Sequence, residues 1–509
     1  MKIERTKNAA RNIVFGTIYK IIGIILPFLS RTVILYVLGE KYLGLSSLFS
    51  SILSFLSLAE LGIGAAMVYS MYKPIADNDH DSICALLNLY KKLYRIIGTC
   101  ILVIGLCVLP FLRHFIKGDV PSDVNIYFLY LLYLVNAVLS YWLFAYKGAL
   151  IQAHQRSDID SKIGSVITPV SYIVMLVALV ITKNYYAYVI WLPIFTIITN
   201  IIRSIYVDRH FPGLKPKGDV SKEVKASINK KVKALIGTKL NTVVINAADN
   251  IVMSAYLGLT VIAIYGNYRY IMTSIIGFLS ICYSALTAGI GNSLVLESPE
   301  KNYSDFLKLS FINSWLVGWC TVCLVCLYQP FMLIWTGEDL MFSLPVVFLL
   351  GVYFYVYQIR KIPVVYKDAA GIWWEDRFRP YTCMALNFVL DLILVRYLGV
   401  AGIIIATIVS LAISIPWENY TIFKYVLHRS SKEYYLKMLL YAATMLAGGA
   451  LTYWICGMLG QGIVALLLRA VICLILPNAV FVLANFKRRE FKQTIELVRN
   501  IFSSSKRNG

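Results

Sequence analysis

Three stretches of this 509-residue chain, Ile96 to Phe111, Ile163 to Ile181 and Gly462 to Phe486, are apolar on every side and hold a single charge among them, Arg469. Their lengths approach the roughly 20 residues that a helix needs to cross a hydrocarbon core. None shows the one-sided apolar stripe of a surface helix. The whole chain has this character, with 59% hydrophobic residues, 15% charged residues and a mean hydropathy of +0.70. A soluble protein carries about 25% charged residues, and no soluble fold hides this much apolar surface. In lipid, backbone amides must bond within their own segment or around a closed barrel, and these runs are too long and continuous for barrel strands. The reading is an all-α polytopic membrane protein.

The pattern predicts about fourteen transmembrane helices, near residues 12–38, 43–68, 90–110, 125–146, 163–182, 186–206, 236–257, 260–292, 308–328, 341–359, 381–397, 401–423, 434–456 and 462–486. With the N-terminus in the cytoplasm, the tails and the loops after even-numbered spans hold 39 of the 48 Lys and Arg residues. The outer loops hold five: Lys41, Arg113, Lys117, Lys183 and Arg396. This is the positive-inside asymmetry, and it places both termini in the cytoplasm. The net charge of +21 thus fixes topology and meets anionic lipid headgroups, so no nucleic-acid partner is expected. The basic start, Met1 to Arg11, leads into a span too long for a signal peptide and without a small-residue cleavage site before Gly39.

The expected organisation is an N-terminal six-helix bundle over 1–207, a basic cytoplasmic linker over 208–232 and a C-terminal six-helix bundle over 233–425. Helices thirteen and fourteen follow over 426–486, and a basic cytoplasmic tail occupies 487–509. The linker coincides with the densest basic cluster, Arg203 to Lys239, which is broken by Pro212, Gly213, Pro216 and Gly218.

Most of the ten Cys residues lie in apolar spans and do not suggest a disulfide framework. Cys320, Cys323 and Cys326 form a CxxCxxC string, but one helix cannot aim all three at one ion and Cys packs as a small hydrophobe. No metal is expected. No Gly-Lys dipeptide, HExxH or nucleophile elbow occurs, and the outer loops are too short for a catalytic domain. The expectation is transport rather than an enzyme.

Charge inside a span is costly and marks function. Lys20 and Arg31 flank Pro27 in the first helix, about 20° apart in projection and about 16 Å apart along the axis, so one face is basic. The second helix carries Ser46, Ser50, Ser54 and Ser57 toward Glu60, Gly62 and Gly64. The seventh holds Lys239, Thr242, Asn246, Asp249 and Asn250, and the eighth adds Arg269 a turn from Tyr265 and Thr273. Topology sets Arg31, Asp249 and Arg269 in the outer half and Lys20, Glu60 and Lys239 toward the cytoplasm. Two readings stay open. Arg31 or Arg269 pairs with Asp249, and Lys20 with Glu60, as structural ion pairs; or a hydrated cavity admits an anion. Four cations against two acids favour the cavity. Lys20, Arg31, Lys239 and Arg269 would then meet the anionic group, with Glu60, Asn246, Asp249 and Asn250 as polar lining or ion-coupling groups.

The chain also repeats. Tyr36-Val37-Leu38-Gly39 closes the first helix and Tyr256-Leu257-Gly258 the seventh, and each following helix reaches a Gly-Ile-Gly, at Gly62 to Gly64 and Gly289 to Gly291. Arg11-Asn12-Ile13, Pro27-Phe28-Leu29-Ser30-Arg31, Leu38-Gly39-Glu40-Lys41-Tyr42-Leu43-Gly44-Leu45, Leu58-Ala59-Glu60-Leu61-Gly62-Ile63-Gly64 and Tyr397-Leu398-Gly399-Val400-Ala401-Gly402 carry a resemblance. Together they resemble the bacterial polysaccharide-biosynthesis flippases of the multidrug/oligosaccharidyl-lipid/polysaccharide (MOP) exporter superfamily. The resemblance implies two six-helix bundles in a V plus two C-terminal helices, in the bacterial cytoplasmic membrane. It implies alternating access that moves an undecaprenyl-diphosphate-linked oligosaccharide to the outer leaflet, with Arg31 and Arg269 meeting the diphosphate as bidentate donors. No cofactor is implied beyond a coupling proton or sodium ion. The implied partners are the lipid-linked glycan, membrane lipids, a polysaccharide polymerase and glycosyltransferases. The alternatives are a multidrug or metabolite exporter of the same fold, and a membrane-embedded glycan polymerase or transferase using Asp119, Asp123, Glu338 or Asp339.

Overall fold

A computed structural model describes residues 5–60 and 62–507, and among these residues every regular element is helical. Among the described residues, ten helices are long and apolar enough to cross a membrane, or eleven if the pair Ile126–Trp142 and Ala145–Ala153, bent by 47°, counts as one span. Three of the fourteen expected spans fall outside that set, two because their helices are too short and one because charged and amide residues lower its hydropathy. The run expected at 43–68 is two helices, α2 (Glu40–Leu56) and α3 (Ile63–Ala76), separated by a 3₁₀ turn over Ser57–Glu60. Gly62 there adopts φ +83°, a conformation that side chains with a Cβ avoid. The run expected at 236–257 is the second part of α10 (Lys222–Leu257), whose Lys, Asn and Asp residues lower its hydropathy so that only Val243–Leu257 is apolar. The run expected at 341–359 shortens to α13 (Leu344–Ile359), 16 residues before a break at Arg360.

Backbone proximity divides the chain into two compact units, Met1–Gly266 and Asn267–Gly509. The division falls inside α11 (Leu259–Leu296), not in the basic stretch 208–232. That stretch is the exit of α9 (Trp191–His210), a turn, and the start of α10. Ser221 caps α10 by accepting from Val224 N at 3.3 Å, and helix-forming Lys, Glu and Ala residues carry the helix outward. Asn88 Nδ2 donates to Gly218 O at 2.7 Å and Lys92 reaches Asp219 at 3.1 Å, so the turn is tied to the rest of its unit.

In the first unit, α1 (Arg5–Val37) packs along α7 (Ser157–Thr182), and α4 (His80–Val108) along α5 (Ile126–Trp142). Glycines allow these approaches: a methyl at Gly164 would stand 2.5 Å from the Tyr19 ring, and one at Gly98 2.5 Å from the Trp142 ring. Without a hydrophobic force between helices in lipid, close packing through small residues is a main source of association. In the second unit, α12 (Pro299–Thr336) is the shared support for α13, α17 (Lys432–Gly457) and α18 (Ile463–Asn485). Phe311, Trp315, Tyr441 and Phe481 fill its contacts with α17 and α18. The expected basic tail is largely a further helix, α19 (Arg489–Arg507), anchored where Glu490 meets Lys437.

The repeat has structural counterparts. Gly39 (φ +106°, ψ 175°) and Gly258 (φ +96°, ψ 178°) adopt the same backbone conformation at the joint between consecutive helices. The Gly-Ile-Gly correspondence does not extend to backbone shape, because Gly289 to Gly291 lies in the unbroken α11. A second repeated device has no obvious sequence signature. Lys147, in the turn before α6 (Gly148–Ala153), lies 2.7 Å from Ser204 Oγ and 2.6 Å from Asp208 Oδ1 on α9. Arg360, in the break before α14 (Lys361–Ala370), lies 3.4 Å from Ser414 Oγ and 3.2 Å from Glu418 Oε1 on α16 (Val400–Ile422). In each unit a cation at a helix break clamps a serine and an acid spaced one turn apart on a later helix.

Candidate transport site

Arg31 is half-buried on α1, one turn beyond Pro27, the proline inside that helix. A methyl at Gly266 on α11 would stand 2.8 Å from Arg31 Nη2 and 3.6 Å from Ser47 Oγ on α2. The guanidinium therefore rests against helix backbone beside a hydroxyl. One turn along α2, Ser51 Oγ accepts from Asn250 Nδ2 of α10 at 2.9 Å. Asp249, the preceding residue, is 3% exposed. The first unit thus brings Arg31, Ser47, Ser51, Asn250 and Gly266 onto one small-residue face of α2. Gly44 continues that face, and a methyl there would stand 2.3 Å from Leu259 O.

A chain of buried hydroxyls borders this group. Ser30 Oγ and Tyr188 Oη are 2.8 Å apart, the Tyr188 ring stacks on Tyr185, Tyr185 Oη and Tyr133 Oη are 3.0 Å apart, and Tyr133 Oη donates to Ser46 Oγ at 3.1 Å. The serines read from sequence are therefore divided. Ser46 faces these tyrosines, Ser50 and Ser54 are exposed, and Ser57 bonds its own turn at Ser54 O. Ser47 and Ser51 were missed, although Gly44, Ser47 and Ser51 at spacings of three and four are a legible small-residue stripe.

Glu60 does not pair with Lys20. Lys20 is exposed on α1, whereas Glu60 Oε1 accepts from Tyr94 Oη and Gly64 N, each at 3.3 Å. The reason is the break in the second span: the 3₁₀ turn directs the carboxylate toward α4, where Tyr90 Oη bonds to Tyr94 Oη. In the second unit, Arg269 Nη1 donates to Tyr353 Oη at 2.5 Å, with its guanidinium 5.1 Å from the centre of that ring. The next residue back, Tyr268, donates to Gln329 Oε1 at 2.9 Å and accepts from Phe342 N. The side chains of Lys239 and Asn246 lie outside the described residues.

The second unit also holds an ion network at the break before α15 (Arg379–Leu398). Asp376 Oδ2 lies 2.7 Å from both Lys367 Nζ and Arg379 Nη2, and Arg379 Nη1 reaches Glu418 at 2.9 Å. Burial raises the Asp376 carboxyl toward its neutral form, but Arg379 and Lys367 outweigh it and hold the group below its ordinary value.

Long apolar helices that enclose arginines, acids and hydroxyls within each unit make this a multi-pass α-helical membrane protein. Its fold is that of the MOP-superfamily transporters. An inward-closed structure of the lipid II flippase MurJ matches 92% of this chain and 98% of its own at 13% identity, with a TM-score of 0.63. An inward-facing multidrug-resistance MATE transporter matches 82% of this chain and 99% of its own at 16% identity, with a TM-score of 0.61. A MOP transporter from Pyrococcus furiosus, described as having a binding pocket of reversed polarity, matches 83% and 97% at 14% identity, with a TM-score of 0.52. No family model and no curated protein matches the sequence.

Proposed function

We propose that the protein is a flippase that carries an undecaprenyl-diphosphate-linked oligosaccharide, of the capsule, exopolysaccharide or O-unit type, from the inner to the outer leaflet of the bacterial cytoplasmic membrane. The observation that carries this reading is the setting of Arg31, whose guanidinium lies in a span against Gly266 and Ser47. A bidentate donor bordered by glycine and a hydroxyl suits a phosphate group, whose oxygens match the planar fork of the guanidinium. Arg269, held by Tyr353 within its own unit, is a second candidate donor for the diphosphate. Transport proceeds by alternating access, both termini face the cytoplasm, and Glu60 or Asp249 carries the coupling proton or sodium ion. Glycosyltransferases supply the substrate and a polymerase receives it. Arg31→Ala and Arg269→Ala are expected to leave protein levels intact and abolish surface polysaccharide; normal polysaccharide in both variants would refute the reading.

A second reading, export of cationic drugs, draws on Asp249, an acid 3% exposed within α10, and on the likeness of fold to a MATE transporter. It predicts growth protection against cationic dyes that Asp249→Asn removes.

A further inference from the structure

The CxxCxxC string of α12 gains partners that one helix cannot provide. Along α12, Cys320 and Cys326 diverge by about 120° in projection. Cys326 instead meets Cys456 of α17 and Cys473 of α18, with the three sulfurs within 4.8 Å of one another and all three residues buried. Cys323 turns toward the same point, its sulfur 3.9 Å from Cys473 O. Close helix packing makes the convergence possible: a methyl at Gly318 would stand 2.4 Å from Met445 Cγ, and one at Gly449 3.0 Å from Val322 Cγ2. Simple packing requires only small side chains here, which Ala would supply equally. Three thiols from three helices at one point is the donor geometry of a thiophilic ion.

We propose that Cys326, Cys456 and Cys473 bind one zinc ion that staples α17 and α18 to α12. Three sulfurs on tetrahedral zinc at about 2.3 Å stand about 3.8 Å apart, so closing the site needs displacements of roughly 1 Å. Binding exchanges three S–H bonds for three Zn–S bonds and releases three protons to solvent, with no change in oxidation state. The product, one Zn²⁺ with three thiolates, carries one negative charge. Arg469 supplies the balancing charge: it is 9% exposed, lies one turn before Cys473 on α18, and donates to Cys456 O at 3.0 Å. That balance favours zinc over a monovalent ion, whose three-thiolate complex would leave uncompensated charge within the apolar layer.

The test uses the full-length protein in detergent, reduced and stripped of metal, titrated first with Co²⁺ and then with Zn²⁺. One cobalt per chain with a sulfur-to-metal charge-transfer band, displaced by one zinc, is the expected result. The band should be lost in Cys326→Ser and Cys473→Ser and retained in Cys100→Ser, whose thiol is exposed on α4. Zinc should raise the unfolding temperature of the wild type and of Cys100→Ser. Where a variant does not fold, the wild-type spectrum decides. No charge-transfer band in the wild type, a band that survives both serine substitutions, or the loss of two free thiols to a disulfide in metal-free protein would each overturn the proposal.

Discussion

Arg31 on α1 and Gly266 on α11 approach so closely that a methyl group on the glycine would stand 2.8 Å from Arg31 Nη2. Gly266→Ala is therefore expected to push the guanidinium aside without removing it. The loss is that of one charge-assisted hydrogen bond to the transported anion, about 1.5–3 kcal/mol, or about tenfold or more in transport. Surface polysaccharide measured at matched protein levels checks this, and unchanged export would show that the position of Arg31 does not matter.

The two cation clamps differ in exposure and should differ in strength. Glu418 is 1% exposed and faces both Arg360 and Arg379, whereas the Asp208 side chain opposite Lys147 is 57% exposed. Removing one partner of a buried pair costs about 3–5 kcal/mol, while solvent at Asp208 screens its pair with the buried Lys147 and brings that cost toward the figure of about 1 kcal/mol or less for an exposed pair. Glu418→Gln is expected to lower unfolding stability by several times the effect of Asp208→Asn, as measured by denaturation in detergent.

Asp376 predicts a pH dependence. Its folded carboxyl is held below the ordinary 3.8, so the unfolded chain binds the proton more readily. The associated stability is fully present above about pH 4 and is lost as pH falls through the folded value. Asp376→Asn should lower stability at neutral pH and flatten the acid limb of the wild-type unfolding curve. A variant that keeps the wild-type acid limb would show that another carboxylate governs it.

Glu60 separates structure from coupling. In Glu60→Gln the amide oxygen still accepts from Tyr94 and Gly64, so the fold should lose about 1 kcal/mol or less. If the carboxylate carries the coupling proton, this variant retains binding of the lipid-linked glycan but its transport no longer responds to an imposed pH gradient in vesicles. A wild-type response assigns coupling elsewhere.

The helical membrane character was legible because apolar runs such as Ile163 to Ile181 have one physical solution in lipid. The glycine joints at Gly39 and Gly258 were legible in Tyr36-Val37-Leu38-Gly39 and Tyr256-Leu257-Gly258, which share a Leu-Gly ending. The break near Gly62 was harder to place, since Glu60-Leu61-Gly62 reads as a continuation of a polar stripe until the positive φ of Gly62 turns the chain. Glu60 consequently found tyrosines of α4, more than thirty residues away, rather than Lys20. The same limit hid the thiol cluster. The spacing of Cys323 and Cys326 shows one helix, but Cys456 and Cys473 reach that point only through the packing of α12, α17 and α18.

Arg469 also bears on how the chain reaches the membrane. An arginine within a lone helix costs up to about 2.5–3.5 kcal/mol on insertion, the figure for the centre of the span. Here its guanidinium donates to Cys456 O and Leu459 O, at the end of α17, where the helix dipole concentrates negative charge. That compensation exists only when α17 is alongside. The final span is thus expected to leave the translocon as the second arm of a hairpin, with its predecessor held nearby until synthesis has delivered both.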